Sequence, residues 1–115
     1  MSLADFRNLI DELGPYAVYA QLWGFGEPFL HPDILDMVAY CKKFSVEVRI
    51  STNGQFLEGQ KTAEALVRSG LDSLKISLDG ASQKTLQKYR VNASFDKMVR
   101  GIGQINDAKE RCESK

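Results

Sequence analysis

The sequence predicts an α/β fold, an open parallel sheet of about three strands with helices packed on one face. Short β-rich runs alternate with stretches of helical periodicity, the pattern of βαβ units. Within each strand candidate, apolar residues alternate with polar ones, which gives one face of the sheet to helices and leaves the other polar.

Taken in order, Leu3, Phe6, Leu9, Ile10 and Leu13 recur at helical spacing. Ser2 stands three residues before Asp5, as in a capping box, and Gly14-Pro15 supplies a stop, so a helix is expected over about 4–13. A strand follows over 16–23. Residues 22–32, Leu-Trp-Gly-Phe-Gly-Glu-Pro-Phe-Leu-His-Pro, read as the end of that strand, a glycine-rich corner and the opening of a helix. Gly24 and Gly26 permit a sharp turn and close approach of a ligand, and Pro32 pre-sets φ for a first helical turn. Ile34, Leu35, Val38 and Cys41 then line one face of a second helix that ends near Lys43.

A second strand covers 46–52 and is closed by Asn53-Gly54. Ala63, Leu66 and Val67 mark a third helix, terminated at Gly70 with Leu71 as its hydrophobic partner. A third strand covers 73–78, closed by Asp79-Gly80, and a short helix spans about 83–89. The last helix, capped by Ser94, runs from Phe95 through Met98, Val99, Ile102 and Ile105 to near Lys109. Gly101 and Gly103 lie inside it, each at a cost of up to ~1 kcal/mol relative to alanine.

The strands do not read like parallel strands buried on both faces, which form near-continuous apolar runs. Val18, Ala20 and Leu22 alternate with Tyr19, Gln21 and Trp23; Val46, Val48 and Ile50 with Glu47, Arg49 and Ser51; Leu74, Ile76 and Leu78 with Lys75, Ser77 and Asp79. A layered apolar barrel interior is excluded by this pattern. A concave, ligand-facing surface fits it, as does a solvated sheet face with no ligand. Three parallel strands cannot close a barrel, and both sheet edges would expose backbone groups. The chain opens and closes on a helix, so we expect one fragment of a larger domain, truncated at both ends and able to self-associate through its edges.

Composition narrows the classes further. Fifteen basic and fifteen acidic residues leave no net charge, which removes the electrostatic footprint of a general nucleic-acid binder. No apolar run approaches the roughly 18 residues that span a membrane, and Met-Ser-Leu-Ala-Asp is not a secretory signal. A cytoplasmic setting is expected. Cys41 and Cys112 lie 71 positions apart and match no metal spacing. Both fall on apolar helix faces, where cysteine acts as a small hydrophobe; a ligand or disulfide role is the alternative.

In parallel α/β sheets, ligands sit outside the carboxyl ends of the strands. Three such ends recur here: Gly24-Phe25-Gly26-Glu27-Pro28, Ser51-Thr52-Asn53-Gly54 and Ser77-Leu78-Asp79-Gly80. The first lacks a third glycine at Phe29, so the fingerprint of a doubly wound nucleotide-binding domain is incomplete.

At these positions the sequence resembles the radical S-adenosylmethionine (radical SAM) superfamily. G-F-G-E-P-F-L-H-P-D resembles the family's GGEP motif after its second strand, and R-I-S-T-N-G the end of its third. L-D-S-L-K-I-S-L-D-G, with K-Y-R and S-F-D-K-M-V, resembles its fourth strand and the segment beyond. The resemblance implies a partial (β/α)6 barrel. It also implies a [4Fe-4S] cluster that reduces bound S-adenosylmethionine, releasing a 5′-deoxyadenosyl radical that abstracts a substrate hydrogen.

By the same resemblance, Gly24, Gly26 and Glu27 belong to the corner whose backbone holds the methionyl amino group, with Phe25 in place of the motif's first glycine. Ser77 matches a cosubstrate-contacting position, Asn53 faces the cosubstrate or substrate, and Arg90 matches an arginine beyond the fourth strand. Other readings stay open. Glu27 also suits a helix start through the dipole, Asp79 a turn former or a catalytic acid, and His31 a helix start or metal and acid–base work. Arg49 and Lys75 either pair with Glu47 or face a substrate carboxylate.

The family's C-x3-C-x2-C motif is absent from these 115 residues. No catalytic residue and no metal ligand are therefore expected in the chain, no cofactor is expected to stay bound to it alone, and radical chemistry should need the parent protein. The expected function is the central, cosubstrate-binding part of a radical SAM Fe–S oxidoreductase or maturase with an unknown substrate. The alternative is a non-catalytic half-barrel scaffold.

Overall fold

The structure, a computed structural model, describes residues 1–112. Its order is α1 (Leu3–Leu13), β1 (Tyr19–Gln21), α2 (Ile34–Cys41), β2 (Glu47–Thr52), α3 (Gln60–Arg68), β3 (Ser73–Ile76), α4 (Gln83–Leu86) and α5 (Phe95–Arg111). Among the described residues the strands form one parallel sheet in the order β1-β2-β3, an open, partial-barrel arrangement. The register pairs Gln21 with Arg49, and Arg49 with Ser73 through Thr52 with Ile76. Two further bonds, Leu22 N–H to Arg49 C=O (3.0 Å) and Ser77 N–H to Thr52 C=O (3.0 Å), carry the ladders toward the carboxyl ends. The three corners are therefore level with one another.

The helix starts form as their sequences dictate. Ser2, Ser82 and Ser94 accept the N–H groups of Asp5, Thr85 and Lys97, each three residues on. The core centres on β2: Val46, Val48 and Ile50 are buried against Phe6 and Ile10 of α1 and Ile34, Met37, Val38 and Cys41 of α2. A smaller cluster joins Leu86, Ala93 and Met98. Burial thins toward β1, and this corrects part of the sequence reading. Val18, expected on the packed face, is 79% exposed: it precedes β1, where strand alternation does not yet hold, and Ala17 packs against the core instead. β1 is also shorter than 16–23. Gly14-Pro15-Tyr16 forms a 3₁₀ turn instead, as proline's fixed φ favours. Likewise Pro28, not Pro32, opens the turn after β1, and α2 starts at Ile34 behind Asp33.

The amino-terminal end of the sheet is tied by one ion pair. Lys42 Nζ lies 2.7 Å from Asp72 Oδ2 and donates to the Val46 carbonyl at 3.0 Å; Asp72 in turn accepts the Val48 N–H at 2.7 Å. Burial alone would raise the Asp72 carboxyl, but the Lys42 ammonium and the Val48 N–H together hold it below the ordinary aspartate range. A folded value below the unfolded one contributes stability above the unfolded pKa, about 3.9, and that contribution is lost as pH falls through the folded value. We expect D72N to lower the urea midpoint at neutral pH and to approach wild type in acid. A deficit constant with pH would contradict this.

Candidate functional site

The three strand ends meet in one depression of about 140 Å³. Gly24, Gly26, Glu27, Asn53 and Ser77, the five residues singled out from the sequence, all line it, together with Trp23, Ser51, Thr52 and Arg90. The backbone turns at Gly26 with φ +94°, a conformation that side-chain-bearing residues rarely adopt. A Cβ at Gly24 or Gly26 would meet nothing within 4 Å. Packing within the chain therefore does not require glycine there; the missing side chains leave open space beside the backbone. Phe25, between them, is fully exposed.

Glu27 is the joint of the site. Its Oε1 accepts the Thr52 hydroxyl at 2.6 Å and the Phe29 N–H at 3.1 Å, and its Oε2 accepts the Asn53 N–H at 2.7 Å. Thr52 Oγ1 also accepts the Gly54 N–H at 3.1 Å. The carboxylate thus caps the 3₁₀ turn Pro28–Leu30 and ties the first corner to the second. Thr52 was missed by sequence reasoning. Strand parity groups it with Val46, Val48 and Ile50, and it is indeed buried; nothing local signals that its hydroxyl has a carboxylate to reach.

The remaining candidates resolve as follows. Asp79 takes a left-handed φ of +51° and accepts from Arg90 Nε at 2.5 Å. Gly80 needs no positive φ, but a Cβ there would lie 2.5 Å from the Leu86 nitrogen, so the corner presses directly on α4. Arg49, rather than Lys75, pairs with Glu47, at 2.8 Å; its guanidinium also lies 5.3 Å from the centre of the Tyr19 ring. His31 Nδ1 accepts the Asp33 N–H at 3.1 Å and Nε2 lies 2.9 Å from the Met1 carbonyl, so both ring nitrogens are engaged within the chain.

The family model described as "Radical SAM superfamily" matches residues 1–113. The chain belongs to the radical SAM superfamily. It is 32% identical over 108 residues to mycofactocin maturase MftC of Mycolicibacterium smegmatis, covering 94% of this chain and 27% of that protein. It is 31% identical over 103 residues to Fe-coproporphyrin III synthase of Methanosarcina barkeri, covering 89% and 25%. It is 37% identical over 104 residues to GTP 3′,8-cyclase of Limosilactobacillus fermentum, covering 89% and 31%. The chain thus spans between a quarter and a third of the length of these curated relatives.

Radical SAM membership implies S-adenosylmethionine and an iron–sulfur cluster, and the two fit this chain differently. The depression offers what an amino-acid head group needs: backbone left bare by Gly24 and Gly26 and the polar Ser77 and Asn53. The cluster does not fit the described residues. Cys41 is fully buried in the core, where burial pushes its thiol up, away from the thiolate a metal requires. Cys112 sits at the C-cap of α5, and among the described residues no group of three His, Cys, Asp or Glu side chains converges on a metal position.

Proposed function

We propose that this chain forms the cosubstrate-binding strand ends of a radical SAM Fe–S oxidoreductase or maturase, as the central part of a parent domain. The observation that carries the reading is the convergence of three level strand ends on one depression, with bare backbone at Gly24 and Gly26. In this reading the backbone of Gly26 and Glu27 holds the methionyl amino group, and Ser77 and Asn53 supply polar contacts beside it. Gly24 keeps the corner open, and the Glu27 carboxylate fixes the corner's position without touching the ligand. A [4Fe-4S] cluster, held by cysteines elsewhere in the parent, would supply the electron for reductive cleavage of S-adenosylmethionine, while this chain's strand ends would hold and orient the cosubstrate. A cytoplasmic setting remains part of it; among the described residues no helix is long and apolar enough to cross a membrane. The edges of β1 and β3 are open and would pair with further strands of the parent or with a second copy.

The test has two arms. The reading frame upstream of Ser2 is expected to encode a C-x3-C-x2-C segment, and a longer frame without one would favour the scaffold alternative. Anaerobic reconstitution of the 115-residue chain with iron and sulfide should yield no stoichiometric [4Fe-4S] absorbance. A full cluster per chain would overturn the assignment of its cysteines.

A further inference from the structure

A second, larger cleft of about 550 Å³ adjoins the depression, and the two share Asn53 and Arg90 in their walls. Gln55 and Phe56, after β2, form one wall. The segment between α4 and α5 forms the other, with Arg90 and Asn92, and Lys97 of α5 beside it.

Two glutamine side chains pin that segment. Gln55 accepts the Ser94 N–H at 2.8 Å and donates to the Ser94 carbonyl at 3.3 Å. Gln83 donates to the Ala93 carbonyl and accepts the Phe95 N–H, both at 2.8 Å. Gln55 thereby fastens the two walls to each other, and the cleft is built before any ligand arrives, which lowers the ordering cost of binding.

Its charge is one-sided. The ionisable side chains in its lining are Arg90 and Lys97, both cationic. Arg90 gives Nε to Asp79, and of its five donors the terminal nitrogens have no partner among the described residues. Lys97 is exposed and enters no ion pair among them. Asn53 spends Oδ1 on the Gln55 N–H, at 2.9 Å, and keeps its amide donors. The cleft is thus a surplus of donors beside the apolar Phe56. It lacks Gly24, Gly26 and Ser77, so its lining differs from that of the depression in offering cationic side chains rather than bare backbone.

We propose that this cleft is the substrate subsite, and that it takes a substrate bearing an anionic group, carboxylate or phosphate, held by Arg90 and Lys97. Asp79 is a positioning residue that fixes the guanidinium at the boundary between the two recesses. The proposal rests on the reading of the depression as the cosubstrate site.

Amide shift titrations of the ¹⁵N-labelled chain test it, with inorganic phosphate, succinate, methionine and S-adenosylmethionine as separate probes. Phosphate or succinate should move the amides of 53–56 and 90–97, and whichever moves them more identifies the anion. R90Q and K97Q should each weaken that binding about twofold to fivefold, the scale of an exposed ion pair, while K61Q on α3 leaves it unchanged. K97Q removes only an exposed side chain, so the test stands even if R90Q unfolds. Anion shifts scattered over the surface, or equal in wild type and K97Q, would overturn the proposal, as would methionine alone moving these amides. Loss of the S-adenosylmethionine response at Gly24, Gly26 and Ser77, with the anion response intact, would instead overturn the cosubstrate reading and leave an anion subsite.

Discussion

Replacing Glu27 with alanine is expected to lower the unfolding free energy by about 2–3 kcal/mol, because three donors lose their acceptor in a half-buried joint. The Thr52 hydroxyl, the Asn53 N–H and the Phe29 N–H all end on this carboxylate. E27Q should recover only part of the loss, about half. Whichever way the carboxamide turns, its NH2 faces a backbone N–H, either that of Asn53 or that of Phe29. Urea denaturation of the two variants checks this, and the Asn53 amide shift reports whether the two corners have separated. A wild-type midpoint for E27A would show that the corner is held by the ladder alone. The functional consequence follows directly: loosening this joint should weaken the S-adenosylmethionine response at Gly24 and Gly26 although neither residue is altered.

The second large effect lies in α5, where two glycines that look alike in sequence should behave oppositely. A Cβ at Gly101 would stand 3.0 Å from the Leu57 carbonyl carbon and Cβ and 3.2 Å from the Glu58 nitrogen. Leu57 is fully buried. Its loop is held by Gly59 N–H to Gln104 Oε1 at 2.6 Å and by the Arg100–Glu58 pair at 2.8 Å, so it has little room to retreat. G101V should cost about 1–3 kcal/mol through overpacking. At Gly103 a Cβ would meet nothing within 4 Å, and G103A should instead stabilise by up to about 1 kcal/mol. Thermal unfolding of the pair decides it: midpoints that move in the same direction would contradict the packing described.

What the sequence made legible follows from how local each feature is. β2, α3 and α5 were readable because alternation, a terminating Gly70 and a Ser94 cap are written in adjacent residues. The start of β1 was not. Tyr16, Ala17 and Val18 lie in a stretch that alternation assigns to a strand, yet Gly14-Pro15 bends the chain first, so Ala17 rather than Val18 faces the core. At the site, the three corners could be identified one at a time, and parallel register then brings them level without further information. The clamp through Glu27 could not, since its partners lie 25 and 26 residues away and nothing in Thr52's own neighbourhood distinguishes it from a core residue. Gly101 is a similar case. Its helical cost was visible in sequence, while the approach of Leu57 that repays it is tertiary.

If the three strand ends form half of an S-adenosylmethionine site, an amide shift titration of the ¹⁵N-labelled chain with S-adenosylmethionine reads it most directly. Half a site should bind weakly, in fast exchange and without surviving gel filtration. The predicted result is a set of shifts confined to Gly24, Gly26, Glu27, Asn53 and Ser77 that shrinks in E27A. No shift at these positions, or shifts centred on another part of the fold, would contradict it.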